Sequence, residues 1–217
     1  MTREEKIQIF SNALLYPVTS EVHSKGRSDI DVLYAIARGG AKVVQLRDKF
    51  SSKRVFYEKA LRFREITNEY GMLLIINDYV DIALSVNADG VHLGQDDLPL
   101  TAARRIAPDL LIGVSTHNKE EIIGAQEEGA DYINIGPIFE TKTREGHLNF
   151  LGIEGLKELS KYARVPFSIM GGIKMRHIPQ LTQAGARIIA MVTEITEAED
   201  ITGRVRELIG IIESNLR

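Results

Sequence analysis

The chain has 217 residues, 44% of them hydrophobic, with 27 Lys and Arg against 30 Asp and Glu, for a formal net charge of -3. That balance gives no reason to expect nucleic acid or an anionic membrane as a partner, so any anion site must be local. Cysteine is absent, which excludes disulfides, thiolate metal sites and cysteine nucleophiles.

The opening MTREEKIQIF mixes both charge signs without a long apolar run, so no secretory signal is read there and a cytoplasmic protein is expected. No stretch of about 18 apolar residues marks a transmembrane helix. Met1–Asn12 reads as a helix ahead of the first strand, placed over the bottom of the fold. Leu14–Thr19 is the first strand, weakened by Pro17. Ile30–Arg38 follows as an amphipathic helix closed by Gly39-Gly40. Lys42–Leu46 is the second strand and Val55–Tyr70 its helix. Leu73–Ile76 and Gly90–Leu93 are strands joined by a helix over Tyr79–Val86. Leu100–Ile106 is a helix with Pro99 near its first turn, and Leu110–Val114 the fifth strand. Asn118-Lys119-Glu120-Glu121 is a capping-box pattern opening a helix that runs to Gly129. Tyr132–Gly136 is the sixth strand. Gly152–Tyr162, Ile178–Ala184 and Ile201–Ser214 read as helices, with strands at Pro166–Met170 and Arg187–Val192.

Eight strand–helix alternations, with strands apolar on both faces, point to one (β/α)8 TIM barrel with an extra N-terminal helix. The chain is read as one domain over 1–217, and no GxGxxG follows the first strand to suggest a dinucleotide fold.

In such a barrel the chemistry lies where strands end. Strand two ends Gln45-Leu46-Arg47-Asp48-Lys49, and its two cations can face one anion or pair with Asp48 and surface acids. Strand three ends Asn77-Asp78 and strand four Gln95-Asp96-Asp97. A βαβ unit brings both acidic ends to one edge, where two carboxylates can share Mg²⁺ with substrate phosphate; capping of the next helix is the other reading of each. His92, within strand four, is either a packed structural residue or a contact to a substrate heterocycle. Ser115 and His117 lie at the mouth after strand five. Thr141-Lys142-Thr143-Arg144, after strand six, combines hydroxyls and cations suited to phosphate. Gly171-Gly172 and Val192-Thr193 follow strands seven and eight, where barrels of this kind bind phosphate through backbone N–H groups; the glycines also suit a plain turn. Two anion clusters and a carboxylate pair imply two phosphorylated small molecules, one carrying a Mg²⁺-bound diphosphate leaving group.

VVQLRDK, LIINDYVDIAL, ADGVHLGQDDLP, IGVSTH, GADYINIGPIFETKTR and the GGI after VPFSIM closely resemble the thiamine phosphate synthase (thiamine-phosphate pyrophosphorylase) family, from about Leu14 to Asp200. The resemblance implies a Mg²⁺-dependent transferase that joins hydroxymethylpyrimidine diphosphate to a thiazole monophosphate and releases diphosphate. Asp78 and Asp97 would bind Mg²⁺. Gln45, Arg47, Lys49 and Asn77 would hold the pyrimidine diphosphate, with Ser115 near pyrimidine and diphosphate. Thr141, Thr143, Gly172 and the backbone at Val192-Thr193 would meet the thiazole phosphate. Arg144 stands where the family usually has lysine on the diphosphate, so Arg47, Lys49, Ser115 and Arg144 form the expected catalytic set. The implied mechanism is dissociative and needs no protein nucleophile. Ser20–Arg27 departs from any pattern that would contact the pyrimidine. A thiazole tautomerase, a sister barrel using a histidine at the position of His117, and a non-catalytic phosphate-binding barrel are the alternatives. The complete diphosphate set of Arg47, Lys49, Asn77, Asp78 and Asp97 distinguishes the synthase from the tautomerase, while arginine at 144 leaves the non-catalytic barrel open. A homo-oligomer is left open.

Overall fold

In the computed structural model, which describes residues 1–141 and 149–217, strand and helix alternate through the chain. Helix α1 spans Arg3–Ser11, β1 Leu15–Pro17, α2 Asp29–Arg38, β2 Val43–Leu46, α3 Lys53–Glu69, β3 Leu73–Asn77, α4 Val80–Ser85 and β4 Gly90–Leu93. Then come α5 (Leu100–Ile106), β5 (Leu111–Thr116), α6 (Lys119–Glu127), β6 (Tyr132–Ile135), α7 (Gly152–Leu159), β7 (Phe167–Ile169), α8 (Ile178–Gln183), β8 (Ile188–Met191), α9 (Thr193–Thr196) and α10 (Ile201–Leu216). The eight strands form one parallel sheet in the order β1-β8-β7-β6-β5-β4-β3-β2. A bridge between Val18 and Gln45 joins its two edges, and Thr19 N–H donates to Gln45 O at 2.9 Å. This is the (β/α)8 barrel that the alternation predicts.

The side-chain period of two sorts each strand into two faces. Val44, Leu46, Leu74, Ile76, Val91, Ile112, Val114, Ile133, Ile135 and Ile189 belong to the cluster shared with the helices. Their neighbours Tyr16, Val43, Leu73, Ile75, Leu111, Tyr132, Ile188 and Ala190 form a separate inner cluster. Phe10 of α1 belongs to that inner cluster and is wholly buried. Its ring centroid lies 4.0 Å from that of Tyr132 and 5.2 Å from that of Tyr16. The N-terminal helix thus closes the bottom of the barrel, as expected. Arg3 Nε fixes it there, donating to Asp131 Oδ1 at 2.7 Å. Asp131 Oδ2 in turn accepts from Ile112 N–H at 2.7 Å and from Arg104 at 2.6 Å. Asp89 repeats the device one unit earlier, accepting from Leu74 N–H and Arg64. Asp131 and Asp89 therefore each have cationic and backbone donors, which offset the cost of burying them.

The expected and observed boundaries differ where chemistry is local. β1 is only three residues long, because Pro17 removes a ladder donor. α3 starts two residues early, since Ser52 Oγ accepts from Val55 N–H at 3.3 Å and caps it. β5 runs on to Thr116, which puts Ser115 inside the strand. The short α9 after β8 is unanticipated. The expected capping box at α6 forms with a shift. Asn118 caps Glu121 N–H at 2.9 Å, while Glu121 Oε2 reaches back to the N–H of His117 at 2.8 Å rather than that of Asn118. Among the described residues no helix is long and apolar enough to cross a membrane.

Candidate active site

Because the strands are parallel, their carboxyl ends share one rim. At that rim Asp78 follows β3 with φ +64°, a left-handed conformation that Asp tolerates better than most side chains. Its N–H donates to His92 O at 2.8 Å, tying the turn to β4. The residue before α4 is Tyr79, with no side-chain cap, and Pro99 precedes α5. Neither Asp78 nor Asp97 caps a helix, so the capping reading of both is set aside. Asp97 Oδ2 instead accepts from Gly94 N–H at 2.6 Å within its own turn. Asp96 is exposed.

The two carboxylates come together. Burial, reinforced by the adjacent Asp97, pushes the Asp78 carboxyl above its usual range, although Lys49 opposes the shift. Lys49 Nζ is paired with Asp78 Oδ2. Two hard carboxylate donors in mutual contact, with one ammonium between them and the strand-two loop, fit Mg²⁺, which takes one or two carboxylates and completes its shell with phosphate and water.

The loop carrying Arg47 and Lys49 is held by Asp48. That carboxylate accepts from Phe50 N–H at 3.0 Å, Ser51 N–H at 3.1 Å and Lys59 Nζ at 2.7 Å. Lys59 also reaches Asp29 and Glu21, each at 2.7 Å. The ligand oxygens of Glu21, Asp29 and Asp48 lie within 4.8 Å of one another, but the Lys59 ammonium already supplies the cation among them. One ammonium does not balance three acids. Burial pushes the Asp29 carboxyl up to about 6, and its Oδ1 has no hydrogen-bond partner. Lys59 and Asp48 both shift toward their charged forms, with the ammonium held protonated above its usual range and the Asp48 carboxyl held below its own. The strain of the cluster therefore falls on Asp29, the most deeply buried of the three acids.

Inside the barrel, above the apolar layer, a chain of polar groups runs up to the rim. Gln45 Nε2 donates to Tyr16 Oη at 2.7 Å, and Tyr16 Oη lies 3.0 Å from Tyr132 Oη. Tyr132 Oη is 3.0 Å from His92 Nδ1, and His92 Nε2 is 2.9 Å from Ser115 Oγ. Burial pushes His92 down to about 4, with Asp97 opposing, so its ring is neutral near pH 7. Burial likewise raises both tyrosines, which stay protonated. Gly113 makes room for this chain, because a Cβ there would stand 2.0 Å from the Tyr132 ring. Both nitrogens of His92 thus meet protein groups. Asn77, at the end of β3, is 7% exposed beside them.

On the opposite side of the rim, Gly171 and Gly172 have φ +110° and +60°. A Cβ on Gly172 would come within 2.1 Å of Glu140 O, so close approach to the loop after β6 demands glycine there. Thr141 adjoins that loop, whereas Thr143 and Arg144 lie outside the described residues. Thr193 opens α9, and Lys174 Nζ donates to its Oγ1 at 3.2 Å. Lys174 also pairs with Glu194 at 3.5 Å. Ser20–Arg27 includes a 3-10 turn at Glu21–His23, bound to the strand-eight side by Arg27 Nη2 donating to Thr196 O at 2.7 Å.

Four functional candidates went unnoticed in the sequence. Tyr16 and Tyr132 stand in the first and sixth strands, and no spacing in the sequence marks a hydroxyl chain. Lys59 is one of several helix cations. Lys174 did carry a signal, as a cation two residues beyond Gly-Gly at a strand end.

The thiamine monophosphate synthase family model matches residues 15–195. The chain belongs to the thiamine monophosphate synthase family. A thiamine-phosphate synthase from Caldicellulosiruptor saccharolyticus is 42% identical over 214 residues, covering 98% of this chain and 97% of the relative. One from Pelotomaculum thermopropionicum is 44% identical over 213 residues, covering 98% of each. Among solved structures, thiamine phosphate pyrophosphorylase from Pyrococcus furiosus is similar with a TM-score of 0.87 and 34% identity, over 95% of this chain and 99% of that one. The family assignment thus agrees with the motifs at the strand ends. Its relatives carry the synthase name, and among the described residues nothing in the geometry favours the tautomerase or the non-catalytic barrel.

Proposed function

We propose that the chain is a transferase joining hydroxymethylpyrimidine diphosphate to hydroxyethylthiazole phosphate, with release of diphosphate. The observation that carries this reading is the meeting of Asp78 and Asp97 beside Lys49, with neither acid serving as a helix cap. An isomerase acting on a thiazole phosphate alone has no use for such a pair.

Asp78 and Asp97 would hold Mg²⁺, which when bound neutralises charge on the departing diphosphate. Arg47 and Lys49 would meet the same phosphate oxygens, the loop between them being fixed by Asp48. Gln45 and Asn77 would border the pyrimidine, with Ser115 between it and the diphosphate. His92 would act through Ser115, since its two nitrogens face Tyr132 and Ser115. Gly172, Val192 and Thr193, with Thr141 and Thr143, would receive the thiazole phosphate, and Arg144 would meet the diphosphate. The carbon–oxygen bond to diphosphate breaks with its electron pair on the oxygen, leaving a pyrimidine methyl cation. The thiazole nitrogen then supplies its lone pair to form the new carbon–nitrogen bond. No protein nucleophile takes part, so positioning and charge neutralisation are what the residues contribute.

Diphosphate release from the two purified substrates, with and without Mg²⁺, tests the reading. Release that needs both substrates and the metal is expected. Binding of thiazole phosphate without any release would sink it.

A further inference from the structure

The polar chain inside the barrel has a direction. A carboxamide nitrogen only donates, so Gln45 Nε2 spends a proton on Tyr16 Oη. The Tyr16 hydroxyl must then turn its own proton to its other partner, Tyr132 Oη at 3.0 Å. Tyr132 accepts it and has one neighbour left for its proton, His92 Nδ1. A neutral imidazole carries a single proton, and an Nδ1 that accepts leaves that proton on Nε2. Nε2–H faces Ser115 Oγ at 2.9 Å, so Ser115 accepts there and keeps its own hydroxyl proton for another acceptor. If the Gln45 amide were turned round, every bond would reverse. Nδ1–H would face Tyr132, and Ser115 would surrender its proton to Nε2.

We propose that Tyr132 is a positioning residue which, through His92, presents the Ser115 hydroxyl to the barrel mouth as a hydrogen-bond donor for an anionic oxygen of the diphosphate substrate. Tyr16 and Gln45 set the direction of the chain, and neither tyrosine needs to touch substrate. The proposal rests on Ser115 being a substrate contact, as in the proposed function. The proton order itself is a property of the free protein. The arrangement suits the task, because a hydroxyl fixed as donor needs no reorientation when negative charge grows on the leaving group. The buried links from Gln45 to His92 are each hydrogen-bonded, which also resists rearrangement.

The full chain labelled with ¹⁵N in its histidine rings, without substrate, is the sample. Long-range ¹H–¹⁵N spectra near neutral pH report which ring nitrogen is protonated, and His92→Gln identifies the His92 signals by their loss. The expected spectrum has a pyridine-like Nδ1 and a pyrrole-like Nε2. A protonated Nδ1 overturns the proposal. Tyr132→Phe keeps the ring against Gly113 but removes the donor to Nδ1. It should mix the two tautomers and lower kcat by roughly tenfold, the usual worth of one hydrogen bond to a charged group, while KM for the thiazole phosphate holds. Unchanged tautomer and kcat in that variant would also overturn it. Should the variant fail to fold, the wild-type spectrum decides alone. An Nε2–H signal in a protein that releases no diphosphate would instead fault the proposed function and leave the proton order standing.

Discussion

Asp78 combines a left-handed backbone, a shielded carboxylate and a like charge at close range. Backbone and charge strain of this kind persists where function holds it in place. Asp78→Asn keeps a residue that tolerates the left-handed region and removes the repulsion from Asp97. Its melting temperature is expected to rise while Mg²⁺-dependent diphosphate release falls by roughly two to three orders of magnitude. A variant that keeps full turnover would show the metal to be elsewhere. His92 and Asp29 make opposed contributions to stability against pH. The folded His92 titrates at about 4, below an unfolded value of about 6.5. As pH falls between those values the unfolded state takes up a proton that the folded state refuses, so stability is lost. Asp29 titrates at about 6 when folded, above its unfolded value of about 3.9. Its folded state takes up the proton first, so acidification over nearly the same window restores stability. The wild-type profile should therefore be flatter than either group alone implies. Between pH 7 and pH 4.5, His92→Gln should gain roughly 2 kcal/mol relative to wild type in denaturant unfolding. A constant difference across that range would show that His92 is not buried neutral.

At the scale of elements, the loop between β2 and α3 depends on Lys59, a residue of α3 itself. Lys59→Met would leave Glu21, Asp29 and Asp48 without their shared cation. Losing one partner of a buried ionic group costs about 3–5 kcal/mol, and Asp48 would no longer hold Arg47 and Lys49 in register. Steady-state kinetics on the variant, at a temperature where it stays folded, should show KM for the pyrimidine diphosphate rising several-fold more than KM for the thiazole phosphate. Equal changes in both would mean that the cluster supports the fold without placing this loop. The sheet was legible because each strand is a short apolar run between turn residues, a pattern that a parallel sheet covered on both faces requires. The inner faces were less so. Gln45, Asn77, His92, Ser115 and Asn134 interrupt those runs at single positions, and only the closed barrel reveals that they share one interior. The acidic turns after β3 and β4 were legible as candidates because the βαβ rule puts both on one edge. That they meet while leaving α4 and α5 uncapped required the fold. Lys59 was illegible because its three carboxylates come from separate segments, the nearest eleven residues away.

For the whole molecule, the bottom of the barrel is sealed and the top is polar. Phe10 fills the bottom against Tyr16 and Tyr132, and those two rings carry the chain from Gln45 toward Ser115. A large-to-small change at Phe10 is thus expected to act at both ends. Phe10→Ala should destabilise by about 3–5 kcal/mol in denaturant unfolding, and turnover at a temperature where the variant remains folded should fall as well. Unchanged turnover would show that the floor and the mouth are uncoupled. The central claim is that Asp78 and Asp97 share one divalent cation with the diphosphate. A crystal structure with Mn²⁺ in place of Mg²⁺ and diphosphate bound, read by the anomalous signal of manganese, tests it directly. The account predicts a peak between the Asp78 and Asp97 carboxylates, with a diphosphate oxygen in its shell and Lys49 on the same phosphates. A peak among Glu21, Asp29 and Asp48, or diphosphate bound away from Asp78, would contradict it.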